Sequence, residues 1–159
     1  MGHGYYRNDR AITFIFEKTM SNSKIMHKTT HKIMIIFSIS FLAFIAWVIY
    51  LANTAQPSVF FELIAHIPYG DKVGHFCLFG FLSFGANFAF KLKKFSLGFF
   101  KLYWGSAAVL LFVVIEELSQ YFIPNRTLDA TDLIADFLGV IVFSLITRFI
   151  SLYNDKSIE

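Results

Sequence analysis

The chain of 159 residues is 56% hydrophobic and 19% aromatic, with 16% charged residues and a net charge of +3. A soluble domain carries about 25% charged residues, and one this small buries too little of its surface to hide so much apolar area. A water-soluble globule is therefore excluded, and so are a disulfide framework and a Cys-based metal cluster, because Cys77 has no intrachain partner.

Residues 1–32 are polar and basic, with a short apolar patch from Ala11 to Phe16 that is too short to span a bilayer. The polar lead-in after Met20 suggests translation starting there. Ile33 to Ala52 holds no charge and is long enough to cross a hydrocarbon core, which takes about 20 residues. It is too long for a typical signal-peptide core and no A-x-A site follows it, so it reads as a retained helix. Val73 to Phe90 is the second apolar stretch, broken only by His75 and Asn87. The third runs from Leu102 to Ile115 and reaches Ile123 as a helix, with a start near Gly98. The fourth is Leu133 to Ile150. Pro57, Pro68 and Pro124 fall outside all four, where they break no spanning helix. The fold expected is all-α: a four-helix transmembrane bundle over residues 33–152, with a cytoplasmic N-terminal segment (1–32) and tail (153–159).

Lys and Arg set the orientation. The N-terminal segment, the second-to-third loop (Lys91, Lys93, Lys94, Lys101) and the tail carry 12 basic residues, and the other two loops carry only Lys72 and Arg126. The positive-inside rule then puts both termini in the cytoplasm. Topology and anionic lipid account for the basic loops without nucleic acid.

The acids gather at the opposite end. Asp71 and His75 are four apart and share a helical face, on which Gly85, Ala86 and Ala89 mark close packing. An Asp71–His75 pair either anchors the helix or makes His75 a ligand or proton carrier. Glu116, Glu117 and Gln120 end the third helix on a face continuing back through Val113, Val109, Ser106 and Gly105. Carboxylates at the lipid boundary are costly unless paired. Pro124-Asn125 signals a turn. Arg126 either pairs with Asp132 or a lipid phosphate, or holds a substrate anion as a planar fork. Asp129 is placed to cap the fourth helix. Asp132, Asp136, Gly139 and Phe143 form one stripe on it, and Asp136 lies a turn deeper than a cap, with Arg126 and His75 as candidate partners.

Asp71-Lys72-x-x-His75-Phe76, Glu117-x-x-Gln120, Pro124-Asn125-Arg126-Thr127 and Asp132-x-x-x-Asp136-x-x-Gly139 resemble the VanZ-like membrane proteins, in order and spacing, over residues 68–150. The resemblance selects Glu117 rather than Glu116 as the matching acid. Asn125 stands where the family often has glycine, and Asn tolerates a left-handed turn. The resemblance implies a multi-pass bacterial plasma-membrane protein of the cell envelope, linked to glycopeptide resistance of the teicoplanin type; it implies no established reaction.

Two function classes follow. In one, the chain binds or acts on an amphiphilic envelope component, such as a lipid-linked precursor. His75, Glu117 and Asp136 are then the candidate catalytic groups, and Asp71, Gln120, Arg126 and Asp132 bind substrate. In the other, the polar cluster is a structural hydrogen-bond lock in a non-catalytic scaffold or accessory protein. No cofactor is expected, and no compact metal motif is present. A divalent cation bridged by Glu117, Asp132, Asp136 and His75 is left open by their chemistry. Transport finds less support, because the midspans are nearly bare of polar groups.

Overall fold

The computed structural model describes residues 5–124 and 126–156. The turn expected at Asn125 and the end of the expected tail lie outside the described residues. Residues 1–33 and 34–159 form two compact units. In the first, helix α1 (Tyr5–Asn53) begins, and Ile12, Phe14, Ile15 and Phe16 are exposed. The rest of α1 belongs to the second unit, with α2 (Val59–Ala65), α3 (Gly70–Ala89), strands β1 (Lys94–Leu97) and β2 (Phe100–Tyr103), α4 (Trp104–Gln120) and α5 (Ala130–Lys156). Among the described residues two helices are long and apolar enough to cross a membrane. They are Lys28–Asn53 in α1, with mean hydropathy 2.5, and Ala130–Tyr153 in α5, with mean hydropathy 2.1.

The uncharged run from Ile33 continues α1 until Ala55 turns left-handed at φ 51° and Pro57 forbids a further turn of helix. The seven-residue α2 lies between Pro57 and Pro68, too short to show a hydrophobic period in the sequence.

Helix α3 packs against both α4 and α5, which also touch each other. The core is Phe79, Leu82 and Ala86 of α3, Val109 and Val113 of α4, Val140 of α5 and Ile45 of α1. Polarity is inverted relative to a soluble bundle. Ser83, Asn87, Ser106, Glu116, Glu117, Gln120, Asp136 and Thr147 are buried, while Leu111, Ile115, Leu118, Ile134, Leu138, Ile141 and Phe149 are exposed. Polar groups turned inward and apolar ones outward suit a lipid solvent, where an unpaired polar group facing hydrocarbon costs several kcal/mol.

The α3–α5 contact is close because position 139 carries no side chain. A Cβ there would collide with the backbone carbonyl oxygen of Phe76. Four residues on along the same stripe, Phe143 sets its ring edge-on to Phe81 at 4.7 Å between centroids.

The N-terminus of α4 is capped from another helix. Its own N-cap residue, Tyr103, makes no side-chain cap bond. Asn87 Oδ1, from α3, accepts from the Ser106 backbone N–H at 2.8 Å and from the Ser106 hydroxyl at 3.0 Å. Ser106 Oγ also lies 3.1 Å from Ser83 Oγ and 2.6 Å from Ser144 Oγ, which joins α3, α4 and α5. Replacing Asn87 by alanine leaves a buried amide without an acceptor. The expected loss is about 2 kcal/mol, the size of a strong cap, read as a lower melting temperature in detergent.

One part of the all-α expectation is corrected. Residues 94–103 form an antiparallel hairpin in which Lys94 pairs with Tyr103, Phe95 with Leu102, Ser96 with Lys101 and Leu97 with Phe100. Gly98 is its turn, at φ 61°, rather than the start of a helix. The aromatic, alternating sequence favours strand, and the left-handed turn suits glycine. Helix α4 therefore begins at Trp104 and is about 26 Å long over its 17 residues, which leaves Glu116 and Glu117 in its last turns.

Candidate functional site

The carboxyl-terminal end of α4 and the amino-terminal ends of α3 and α5 meet at one end of the second unit. Three local features hold them there. Tyr69, left-handed at φ 56°, turns the chain into α3. Asp129 caps α5, its Oδ1 accepting from the Thr131 backbone N–H at 2.8 Å and from the Thr131 hydroxyl at 2.7 Å, as its position before the helix led one to expect. Glu117 Oε1 accepts from the Asp129 backbone N–H at 2.8 Å and so ties the end of α4 to the start of α5.

Lys72 organises the first group of acids. Its Nζ lies 2.8 Å from Asp71 Oδ2, 2.7 Å from Asp129 Oδ2 and 2.5 Å from Asp132 Oδ1. The hydrogen bond from Lys72 is the largest of the effects that hold the Asp129 carboxyl well below its usual range. The sequence reading gave Lys72 no role in the site, and it gave Asp71 to His75. The structure corrects both points. A flexible ammonium next to Asp71 outcompetes an imidazole one turn away, and the Asp71 side chain is largely exposed.

His75 turns to α5 instead. Its Nδ1 lies 3.0 Å from Asp136 Oδ1, and its Nε2 lies 3.8 Å from Asp132 Oδ2. With Nδ1 turned to Asp136, Nε2 is left on the Asp132 side. Asp136 is completely buried. Of the two partners considered for it, His75 is the one it meets.

Gln120 joins the two glutamates. Its Nε2 donates to Glu116 Oε2 at 3.1 Å and to Glu117 Oε2 at 3.0 Å. Arg126 Nε donates to Gln120 Oε1 at 3.4 Å, and an Arg126 terminal nitrogen lies 3.8 Å from Glu116 Oε1. Arg126 thus faces the end of α4 and not Asp132, which Lys72 already holds. The resemblance selects Glu117 alone, yet Glu116 is buried beside it. At 100° per residue, Gln120 is within reach of an acid three and an acid four positions earlier, and it bonds to both.

These groups border a cavity of about 330 Å³ within the second unit. Ile45, Val48, Ile49 and Ala52 of α1, Phe61 and Ile64 of α2, and Leu78 and Phe79 of α3 form its apolar wall. Asp71, His75, Glu116, Gln120, Arg126, Thr127 and Asp132 form the polar wall. Of the residues named from sequence, Asp71, His75, Gln120, Arg126 and Asp132 line the cavity. Glu117 and Asp136 do not; they stand behind it, bonded to residues that do. Among the described residues no group of three or more His, Cys, Asp or Glu side chains has the arrangement to hold a metal ion.

Fold and site together define a helical membrane protein with a polar cluster at one end of its α3–α4–α5 core. The VanZ/LLP1 family model matches residues 11–151, and the chain belongs to that family. The match reaches upstream of the motif-bearing residues 68–150 and takes in most of α1. No curated protein and no solved structure matches the chain.

Proposed function

We propose that the cavity binds an amphiphilic component of the bacterial cell envelope, at the outer face of a four-helix plasma-membrane bundle with both termini cytoplasmic. The four helices are α1, α3, α4 and α5. One observation carries the reading: the cavity has an apolar wall drawn mainly from α1 and α2 and a polar wall bearing Arg126, His75, Gln120 and Asp132. Such a division suits a ligand with a hydrocarbon portion and a hydrogen-bonding head. The basic residues concentrated at the other end support the orientation. In this reading Arg126 and Gln120 bind the head group. His75 offers Nε2 as acid or base, and Asp136 fixes its ring. Glu117 positions Gln120. A lipid-linked precursor is the ligand class we favour, and glycopeptide (teicoplanin-type) sensitivity is the phenotype to score.

A second reading has its own support. Glu117, Asp129 and Lys72 tie helix ends together, as a structural lock in a non-catalytic scaffold would. Replacing Arg126 by alanine separates the two. Its contacts at 3.4 and 3.8 Å are long, so little stability is at stake. A binding role predicts full abundance, roughly tenfold weaker retention of envelope lipid in native mass spectrometry and altered glycopeptide sensitivity. Unchanged lipid retention and phenotype at full abundance rule the binding role out; lost abundance favours the lock.

A further inference from the structure

The β1–β2 hairpin lies outside the polar site, and its two faces differ. Antiparallel pairing puts Lys94, Ser96, Lys101 and Tyr103 on one face and Phe95, Leu97, Phe100 and Leu102 on the other. The first face is cationic: Lys94 stacks over Tyr103 at 4.4 Å from the ring centroid, and Lys101 is exposed. The second is apolar and only partly covered. Phe95 packs on Trp104 at 4.5 Å between centroids, while Leu97, Phe100 and the turn residue Phe99 are exposed. Lys91 and Lys93, just before β1, are exposed as well. The sequence from Phe90 to Trp104 contains no Asp or Glu.

A free two-stranded ribbon is marginal in water at best, so the uncovered face needs a surface to lie on. The way the hairpin leaves α3 adds a second observation. The Leu92 N–H bonds to Asn87 O at 2.8 Å and the Lys91 N–H to Phe88 O at 2.9 Å. That is the hydrogen-bond pattern of a Schellman cap, whose left-handed position usually holds glycine. Here it holds Lys91, at φ 55°, followed by Leu92, also at φ 55°. Two strained residues fix the direction of the hairpin, and a lysine occupies a site where glycine is conformationally cheaper.

We propose that the hairpin is an interfacial wedge for anionic lipid. Leu97, Phe99 and Phe100 enter the boundary of the leaflet on the basic side of the protein, and Lys91, Lys93, Lys94 and Lys101 hold anionic head groups. Charge complementarity selects this occupant: four exposed lysines with no intervening acid match an anionic leaflet, which attracts each nearby lysine independently. Aromatic tips with lysine stems reaching to head-group level are the usual furniture of a membrane interface. The wedge is independent of what the cavity at the other end holds.

The test uses the full chain with Phe99→Cys in a Cys77→Ser background, labelled with an environment-sensitive dye. The same labelled protein is placed in nanodiscs of phosphatidylcholine alone or mixed with phosphatidylglycerol. The wedge predicts blue-shifted emission and protection from iodide quenching when phosphatidylglycerol is present. Each Lys→Gln replacement among the four lowers the retention of phosphatidylglycerol over phosphatidylcholine in native mass spectrometry, by roughly fivefold. Emission that stays water-like and quenchable in both lipids overturns the proposal. So does burial that is identical in both lipids and insensitive to the lysines. A dye protected only after a soluble protein is added marks a protein-docking surface instead and also overturns it. Wild-type chain is run in the mass spectrometric arm, so a labelled variant that fails to reconstitute leaves the lipid preference still testable.

Discussion

Gly139→Ala is expected to destabilise the protein by about 3 kcal/mol, at the upper end for overpacking, and to strip most of it from the membrane fraction. On a free helix the same change stabilises by about 1 kcal/mol, because alanine is the better helix former. Here the added methyl meets the backbone carbonyl of Phe76, and backbone within α3 cannot swing aside as a side chain can. The only relief is to move α5 away from α3. That shift also separates His75 from Asp136 and Lys72 from Asp132, since both contacts cross the same interface. The control is Gly74→Ala on α3, where the new Cβ meets only the tip of Ile64 at 3.6 Å. That variant should keep or gain stability. Thermal unfolding in detergent and membrane abundance read both. Equal behaviour of the two variants would show that the α3–α5 approach is looser than the structure has it.

The stripe that makes this contact was legible in the sequence. Asp132, Asp136, Gly139 and Phe143 recur at helical spacing, and all four face α3 or its ion pairs. The same period gave the buried face of α4 from Gly105 to Gln120. Period reports which residues share a face, and it works wherever a helix is long enough to repeat. It fails for short runs, where strand and helix look alike. That is why Leu102 read as part of a helix although the chain stays in strand until Tyr103. Pairing within the polar end was harder to see. Asp71 and His75 share a face, but the choice between a neighbouring lysine and an imidazole depends on side-chain reach. The same holds for Arg126, which meets Gln120 and Glu116 while Lys72 meets Asp132, a division that no spacing rule reports. Families of residues were readable, and so were the Asp129 cap and the His75 partner of Asp136; the choice made by Asp71 and Arg126 rests on side-chain reach.

His75→Leu should cost about 3 to 5 kcal/mol, the price of leaving a buried charge without its partner. Asp136 is 0% exposed and meets His75 Nδ1 at 3.0 Å. Removing the imidazole leaves that carboxylate in an apolar core beside Val140. The double variant, His75→Leu with Asp136→Leu, should recover most of the loss, because an apolar pair of similar volume replaces a desolvated polar one at little net cost. Membrane abundance and unfolding in detergent give the stability arm of this cycle, and lipid retention and glycopeptide sensitivity give the functional arm. If His75 presents Nε2 to a ligand, the double variant regains abundance and fails in the functional arm. If the pair only locks α3 to α5, both arms recover together. The cycle separates chemistry from architecture because its two arms share the same protein, the same contact and the same two substitutions. A double variant no more stable than His75→Leu alone would instead deny the coupling, and with it the pairing of these two side chains in the membrane.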